Sequence, residues 1–151
     1  MIGKLTDEQI EKVLKENIVG RIGCNDGSKT YVVPINYVYD GKFIIGQSME
    51  GMKINMMRNN PMVCFEVDEM KSLTNWKSVI AWGEYQELIA ERDRYSAMKL
   101  FVDKMMHLKI SRADIPTETS GKSVHSFSPE SIKPIIYRII ITEKTGRFEN
   151  D

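Results

Sequence analysis

Residues 46–61, GQSMEGMKINMMRNNP, gather a hydroxyl, a glycine and two cations where an apolar run ends and a helical pattern begins. Ser48 offers an O–H donor, Gly51 lets backbone come close to a ligand, and Lys53 carries positive charge on the first helical turn. Amides at a helix start are unpaired and partly positive, so the chemistry suited to this corner is anion capture, phosphate above all. A polar turn with solvated basic side chains uses the same residue types. Upstream, the run VVPIN places Pro34 where it cannot donate to a sheet ladder, which marks an edge strand or a break in pairing. A flat length of backbone there could lie beside a ring system, although a prolyl break can also be purely structural.

Trp76 and Ser78 fall on one face of a later strand. There the indole could stack while the hydroxyl donates to a second phosphate oxygen or a ring carbonyl. A core tryptophan beside a small polar residue is the plainer alternative. Tyr31, Tyr37 and Tyr39 also alternate onto one face, a pattern more often of packing than of ligand contact. Other chemistries find less support. The chain has no GxGxxG after a strand, no GxxxxGK[ST], no HExxH and no GxSxG. Cys24 and Cys64 stand on separate runs without CxxC spacing and read as buried small hydrophobes. With only His107 and His125 to join them, no metal site is expected. His107 reads as a helix C-terminal cation or packing residue, His125 as a solvated loop residue, and Glu66 with Asp68 as carboxylates on a solvated strand face.

These residues need elements to hold them. The 151 residues make one domain, 1–151, with 42% hydrophobic and 28% charged residues, the balance of a globular protein. Equal counts of 21 basic and 21 acidic residues argue against nucleic acid or a membrane surface as partner. No uninterrupted apolar run resembles a leader or a membrane span, so the cytoplasm is the expected location. Thr6 with Gln9 forms a capping box, and Ile10, Val13 and Leu14 give the first helix, ending near Asn17, one apolar face. Two Asp-Gly turns, at Asp26 and Asp40, separate β-rich runs into a meander of three strands. A helix over Met52 to Asn59 stops before Pro61, and PMVCFEVDEM alternates as a fourth strand. WKSVIAWGEYQELI is a fifth, bent at Gly83, and a helix from Glu91 to about Met106 follows. Lys109 to Pro129 reads as a long polar loop, and PIIYRIIITEKTGRF as a buried closing strand. Six strands joined mainly by hairpins predict a mainly β fold, a closed antiparallel barrel with flanking helices rather than a doubly wound sheet.

The order and spacing of four motifs resemble those of the pyridoxamine 5'-phosphate oxidase-like flavoproteins, in their nitroimidazole-resistance-type branch. The motifs are Gly20 to Gly23, Pro34 to Tyr37, Ser48 to Lys53, and Asn60 to Phe65. The likeness covers about residues 18 to 90 and is looser beyond, where TGR at 145–147 follows the closing apolar run. The resemblance implies a six-stranded split β-barrel and a homodimer with FMN at the subunit interface. It implies phosphate held by Ser48 and Lys53, the flavin ring lined by Val33, Pro34, Ile35 and Asn36, and the cofactor reached by Trp76 and Ser78. A histidine often precedes the corner serine in that branch. Here Gln47 stands there, which puts histidine-linked chemistry in doubt and leaves an amide able to bond the ring or ribityl chain. The implied activity is FMN-dependent oxidation or reduction of a small molecule. A non-catalytic flavin or haem carrier on the same barrel is the rival. A pyridoxamine phosphate oxidase proper would need C-terminal basic residues, for which Arg138 and Arg147 are the candidates.

Overall fold

A computed structural model describes residues 1–111 and 133–151, with side chains described for 1–107 and 133–151. In chain order the elements are β1 (Ile2–Lys4), α1 (Asp7–Glu16), β2 (Val19–Asn25), β3 (Thr30–Tyr39) and β4 (Phe43–Ser48). Then come α2 (Met52–Asn59), β5 (Met62–Ser72), β6 (Asn75–Glu87), α3 (Glu91–Ser111) and β7 (Ile135–Glu149). Six strands close an antiparallel barrel in the order β7-β4-β3-β2-β5-β6, with β6 pairing back onto β7. The expected barrel is thus the observed one. β1 is an addition, laid along the far end of β7 with Ile2 opposite Glu149 and Lys4 opposite Arg147.

The local causes are visible. Thr6 Oγ1 accepts from the Gln9 amide at 3.2 Å while Gln9 Oε1 accepts from the Thr6 amide at 2.8 Å, which satisfies two orphan donors of α1. Gly27 and Gly41 sit at φ 98° and 94°, the left-handed turn geometry that Asp-Gly supplies. Asp40 Oδ1 accepts from the amides of Lys42 and Phe43 and so closes the second turn. The β6–β7 register shifts between Trp82 and Gly83, the expected bend.

The barrel interior is filled by Ile22, Tyr37, Ile44, Phe65, Val79 and Tyr137, all fully buried. α1 adds Ile10, Val13 and Leu14 to this core, and the Tyr37 hydroxyl donates to the Leu14 carbonyl at 2.7 Å. Tyr37 and Tyr39 are therefore core residues, with Tyr31 packed at their margin. A second, smaller core lies outside the barrel, where Ala97 and Phe101 of α3 cover Val38, Ile45 and Ile136. α3 runs to Ser111, past the expected end near Met106, so residues 109–111 are helical rather than loop. The remainder of that loop, with His125, lies outside the described residues.

Candidate functional site

The site begins where two strands part. β3 and β4 pair only from Tyr37 opposite Gly46 to Tyr39 opposite Ile44. Continued pairing would have set Ile35 opposite Ser48; instead β4 turns into the corner, and β3 runs back to Thr30 with β2 the only described strand beside it. The Tyr37 amide donates to the Ile18 carbonyl at 2.9 Å, on the β2 side. By the alternation of an antiparallel ladder, Asn36, Pro34 and Val32 aim their main-chain groups at the bare edge. Proline, lacking an N–H, wastes no donor there, so Pro34 does mark an edge. Ile35 is buried in the core and Val33 packs against it, whereas Pro34 and Asn36 face outward.

The corner lies beside this edge. Gly51 caps α2 in extended backbone with no side-chain hydrogen bond, and the Asn55 amide, donating to the Gly51 carbonyl at 3.1 Å, makes the first helical bond. The amides of Met52, Lys53 and Ile54 therefore have no partner among the described residues. Lys53 is half-buried and forms no ion pair among the described residues; burial holds its ammonium below the usual lysine range. Ser48 Oγ donates to the Met49 carbonyl at 2.8 Å, so its proton is engaged within the turn. Gln47 is exposed on β4, and its side chain shares a cleft with Asn36 and α3.

Arg58 has a larger part here than that of a surface side chain. Its Nη1 and Nη2 donate to Glu50 Oε2 and Oε1 at 2.9 Å and 3.0 Å, and its Nε donates to Glu87 of β6. The Tyr85 hydroxyl donates to the same Glu87 oxygen at 2.9 Å. A carboxylate inside the corner would repel an anion; the fork, shared with Glu87, offsets the Glu50 charge and ties the turn to the barrel. No helical spacing rule links residues eight apart, so this brace was not legible in the sequence.

Trp76 and Ser78 stand elsewhere. Ser78 is level with Arg147 on β7, while Ser48 is level with Ile135. Those positions are twelve residues apart (147 − 135), roughly 40 Å along the strand. Trp76 Nε1 donates to Glu149 Oε2 at 3.0 Å, and Ser78 Oγ to Glu66 Oε1 at 3.3 Å. Within one protomer these two residues and the corner occupy opposite ends of the barrel. Near Ser78, Arg21 Nη1 lies 3.1 Å from Asp68 Oδ1 and 3.5 Å from Glu66 Oε2. Burial, then the neighbouring Asp68, pushes the Glu66 carboxyl up, so these carboxylates are shared and partly sheltered rather than simply solvated. Both cysteines are free; Cys24 is buried, while Cys64 is half-exposed on the outer face, contrary to the expectation of two buried thiols. Arg138 is engaged with Gln86 and the Phe43 ring, and Arg147 sits at the far end of β7 from the corner.

A six-stranded barrel with one strand edge free of described partners, running into an uncapped helix start with a lysine on it, defines a split-barrel protein. The sequence profile of the pyridoxamine 5'-phosphate oxidase family matches residues 6–135. An uncharacterised protein of Rhizobium meliloti (strain 1021) is 34% identical over 148 residues, 95% of this chain and 92% of that one. A crystal structure of a FAD-binding protein from Mesorhizobium loti superposes with TM-score 0.74 at 28% identity, covering 100% of this chain and 98% of that chain. The fold is also that of a candidate 5-nitroimidazole antibiotic resistance protein from Bacteroides thetaiotaomicron, with TM-score 0.69 at 16% identity over 98% of this chain and 87% of that one. The chain belongs to the pyridoxamine 5'-phosphate oxidase family.

Proposed function

We propose that the chain is a flavoprotein that binds FMN and acts as an oxidoreductase on a small molecule. One observation carries this reading: the bare edge from Val32 to Asn36 meets an uncapped helix start and a lysine with no carboxylate partner among the described residues. A flavin mononucleotide needs both at once, a flat strip of main chain for its ring and a cationic donor set for one phosphate. Lys53 and the amides of Met52 and Lys53 would hold the phosphate, with Ser48 joining once its hydroxyl rotates off the Met49 carbonyl. The strip from Val33 to Asn36 would lie along the ring, and Gln47 would bond the ring or the ribityl chain. Bound there, the flavin supplies electron transfer, while the chain orients it and shields it from water. The FAD-binding relative at 28% identity supports a flavin, and one lysine on one uncapped helix start, donors for a single phosphate, favours FMN.

The same reading makes the protein a homodimer of the cytoplasm. Val32, Gly23, Cys64 and Trp82 lie abreast across β3, β2, β5 and β6, and with Met62 they line an outward groove of about 350 Å³. Each charge beside it has an opposite partner, Arg21 lying against both Glu66 and Asp68. A second copy can therefore cover this face without burying an unpaired charge. No described helix is long and apolar enough to cross a membrane.

Titration with FMN and with riboflavin tests the core of the proposal. Lys53→Met should weaken FMN binding by about tenfold or more, as expected for a charge-assisted phosphate contact, and leave riboflavin affinity nearly unchanged. Equal losses for the two flavins, or no FMN binding to the unaltered protein, would sink it.

A further inference from the structure

α3 carries more apolar surface than the barrel covers. Ala97 and Phe101 face the barrel, but Met98, Val102, Met105 and Met106 continue the apolar arc around the helix, with Val102 and Met106 exposed. Opposite that arc stand Asn36 of β3 and Gln47 of β4, and the two walls enclose a cleft of about 270 Å³. The lining consists of two amides, one phenyl ring, one isopropyl group and three thioethers. No charged side chain among the described residues lines it. Lys104 of α3 is engaged elsewhere; its Nζ donates to the carbonyls of Asn17 and Tyr37 and lies 4.8 Å from the Tyr37 ring centre. Neither the Asn36 nor the Gln47 amide is hydrogen-bonded by another described residue, so both keep donors and acceptors for a ligand.

We infer that this cleft is the substrate pocket, and that it takes a neutral, flat, mostly apolar molecule of one or two rings bearing carbonyl- or nitro-type acceptors. The inference rests on the flavin reading for its catalytic meaning, since Asn36 and Gln47 also border the proposed ring site. The size follows from the volume, which lies just below the range typical of drug-sized pockets. Flatness follows from the walls, one a pair of strands and the other a helix. The exclusion of charge follows from the described lining: a phosphorylated or carboxylated ligand would lose water and meet no cation among those residues. The methionines are unbranched and polarisable, so the pocket should accept several ring systems of similar size rather than one shape.

Menadione and pyridoxine 5'-phosphate, titrated by calorimetry into both flavin-free and FMN-loaded protein, test the assignment. Menadione should bind both forms, whereas pyridoxine 5'-phosphate should not bind the FMN-loaded form, in which the phosphate corner is filled. Val102→Glu, at a position exposed enough to leave folding intact, should weaken menadione binding at least about tenfold while FMN affinity stays the same. Undetectable menadione binding, equal binding by Val102→Glu, or preference of the FMN-loaded protein for pyridoxine 5'-phosphate would each overturn the inference. Failure of FMN to bind would instead strike the flavin reading, and the titration of flavin-free protein would still decide the cleft.

Discussion

Arg58 grips both carboxylate oxygens of Glu50, at 2.9 Å and 3.0 Å, and reaches Glu87 on β6 with its remaining nitrogen. The fork makes the turn between β4 and α2 part of the barrel instead of a free loop, and it offsets the charge of Glu50 next to the proposed phosphate site. Arg58→Ala should therefore weaken FMN binding several-fold with little change in the fold, because it releases Glu50 without touching the phosphate. Arg58→Lys should recover only part of the loss, since an ammonium cannot fork a carboxylate. Flavin titration beside circular dichroism checks both variants; unchanged FMN affinity in Arg58→Ala would show that the brace does not shape the corner.

Lys104 gives a test in pH. Burial pulls its ammonium down to about 8, against about 10.5 in an unfolded chain. Between those values the unfolded state holds more protons than the folded state, so this group makes stability rise as pH increases from about 8 toward 10. The tyrosines and Cys24, whose protons are held more tightly in the fold, act in the opposite sense at the upper end. The difference between wild type and Lys104→Met isolates the lysine. Relative to that variant, the wild type should gain stability across this window, measured by urea unfolding at fixed pH steps. A flat difference would show that the ammonium is not strained by its burial.

Tyr137 is fully buried, with a hydroxyl that meets no hydrogen-bond partner among the described residues. Its ring lies against Gly46, where a Cβ would fall 2.4 Å from the ring carbon and hydroxyl oxygen, and it tilts against Tyr85 at 5.3 Å between centroids. Tyr137→Phe keeps the ring and removes the orphan oxygen. It should stabilise the protein by about 1 to 3 kcal/mol, the usual cost of a buried unsatisfied group. In a chain of this length that is a rise of roughly 2–4 °C per kcal/mol, read in a melting scan. A fall in melting temperature would mean that the hydroxyl is satisfied inside the barrel.

Most of the architecture could be read from local chemistry. The capping box at Thr6, the Asp-Gly turns, the halt at Pro61 and the alternation of Val63, Phe65 and Val67 each express a rule acting within a few residues. Three features could not be. β1 is three residues long, too short to show alternation, and takes the edge of β7 left open where β7 runs past β4 beyond Ile140. The brace from Arg58 to Glu50 and Glu87 joins residues with no periodic relation. Pro34 announced an edge but not its length, which depends on where β3 and β4 part after Tyr37. Trp76 and Ser78 show the same limit from another side. Alternation places both on one face, but their height along the barrel is set by pairing with β5 and β7, which only the closed structure reveals.

That height makes the dimer testable in a particular way. If Trp76 and Ser78 contribute to the flavin site, the roughly 40 Å of strand between them and the corner means that they serve the corner of the other copy. Lys53→Met and Trp76→Ala should each weaken FMN binding when pure. After unfolding and refolding as an equal mixture, half the dimers should be mixed. In a shared site, each mixed dimer carries both lesions in one site and leaves the other intact, so about a quarter of all sites should regain full affinity. In a site built within one protomer, every mixed dimer would carry one lesion per site and nothing would be regained. Trp82→Glu, which places a charge in the outer groove, should yield a monomer in sedimentation and lose FMN affinity together with its dimer. Tight FMN binding by that monomer, or no recovery in the mixed sample, would return the whole site to a single chain and leave Trp76 as a residue of the barrel's far end.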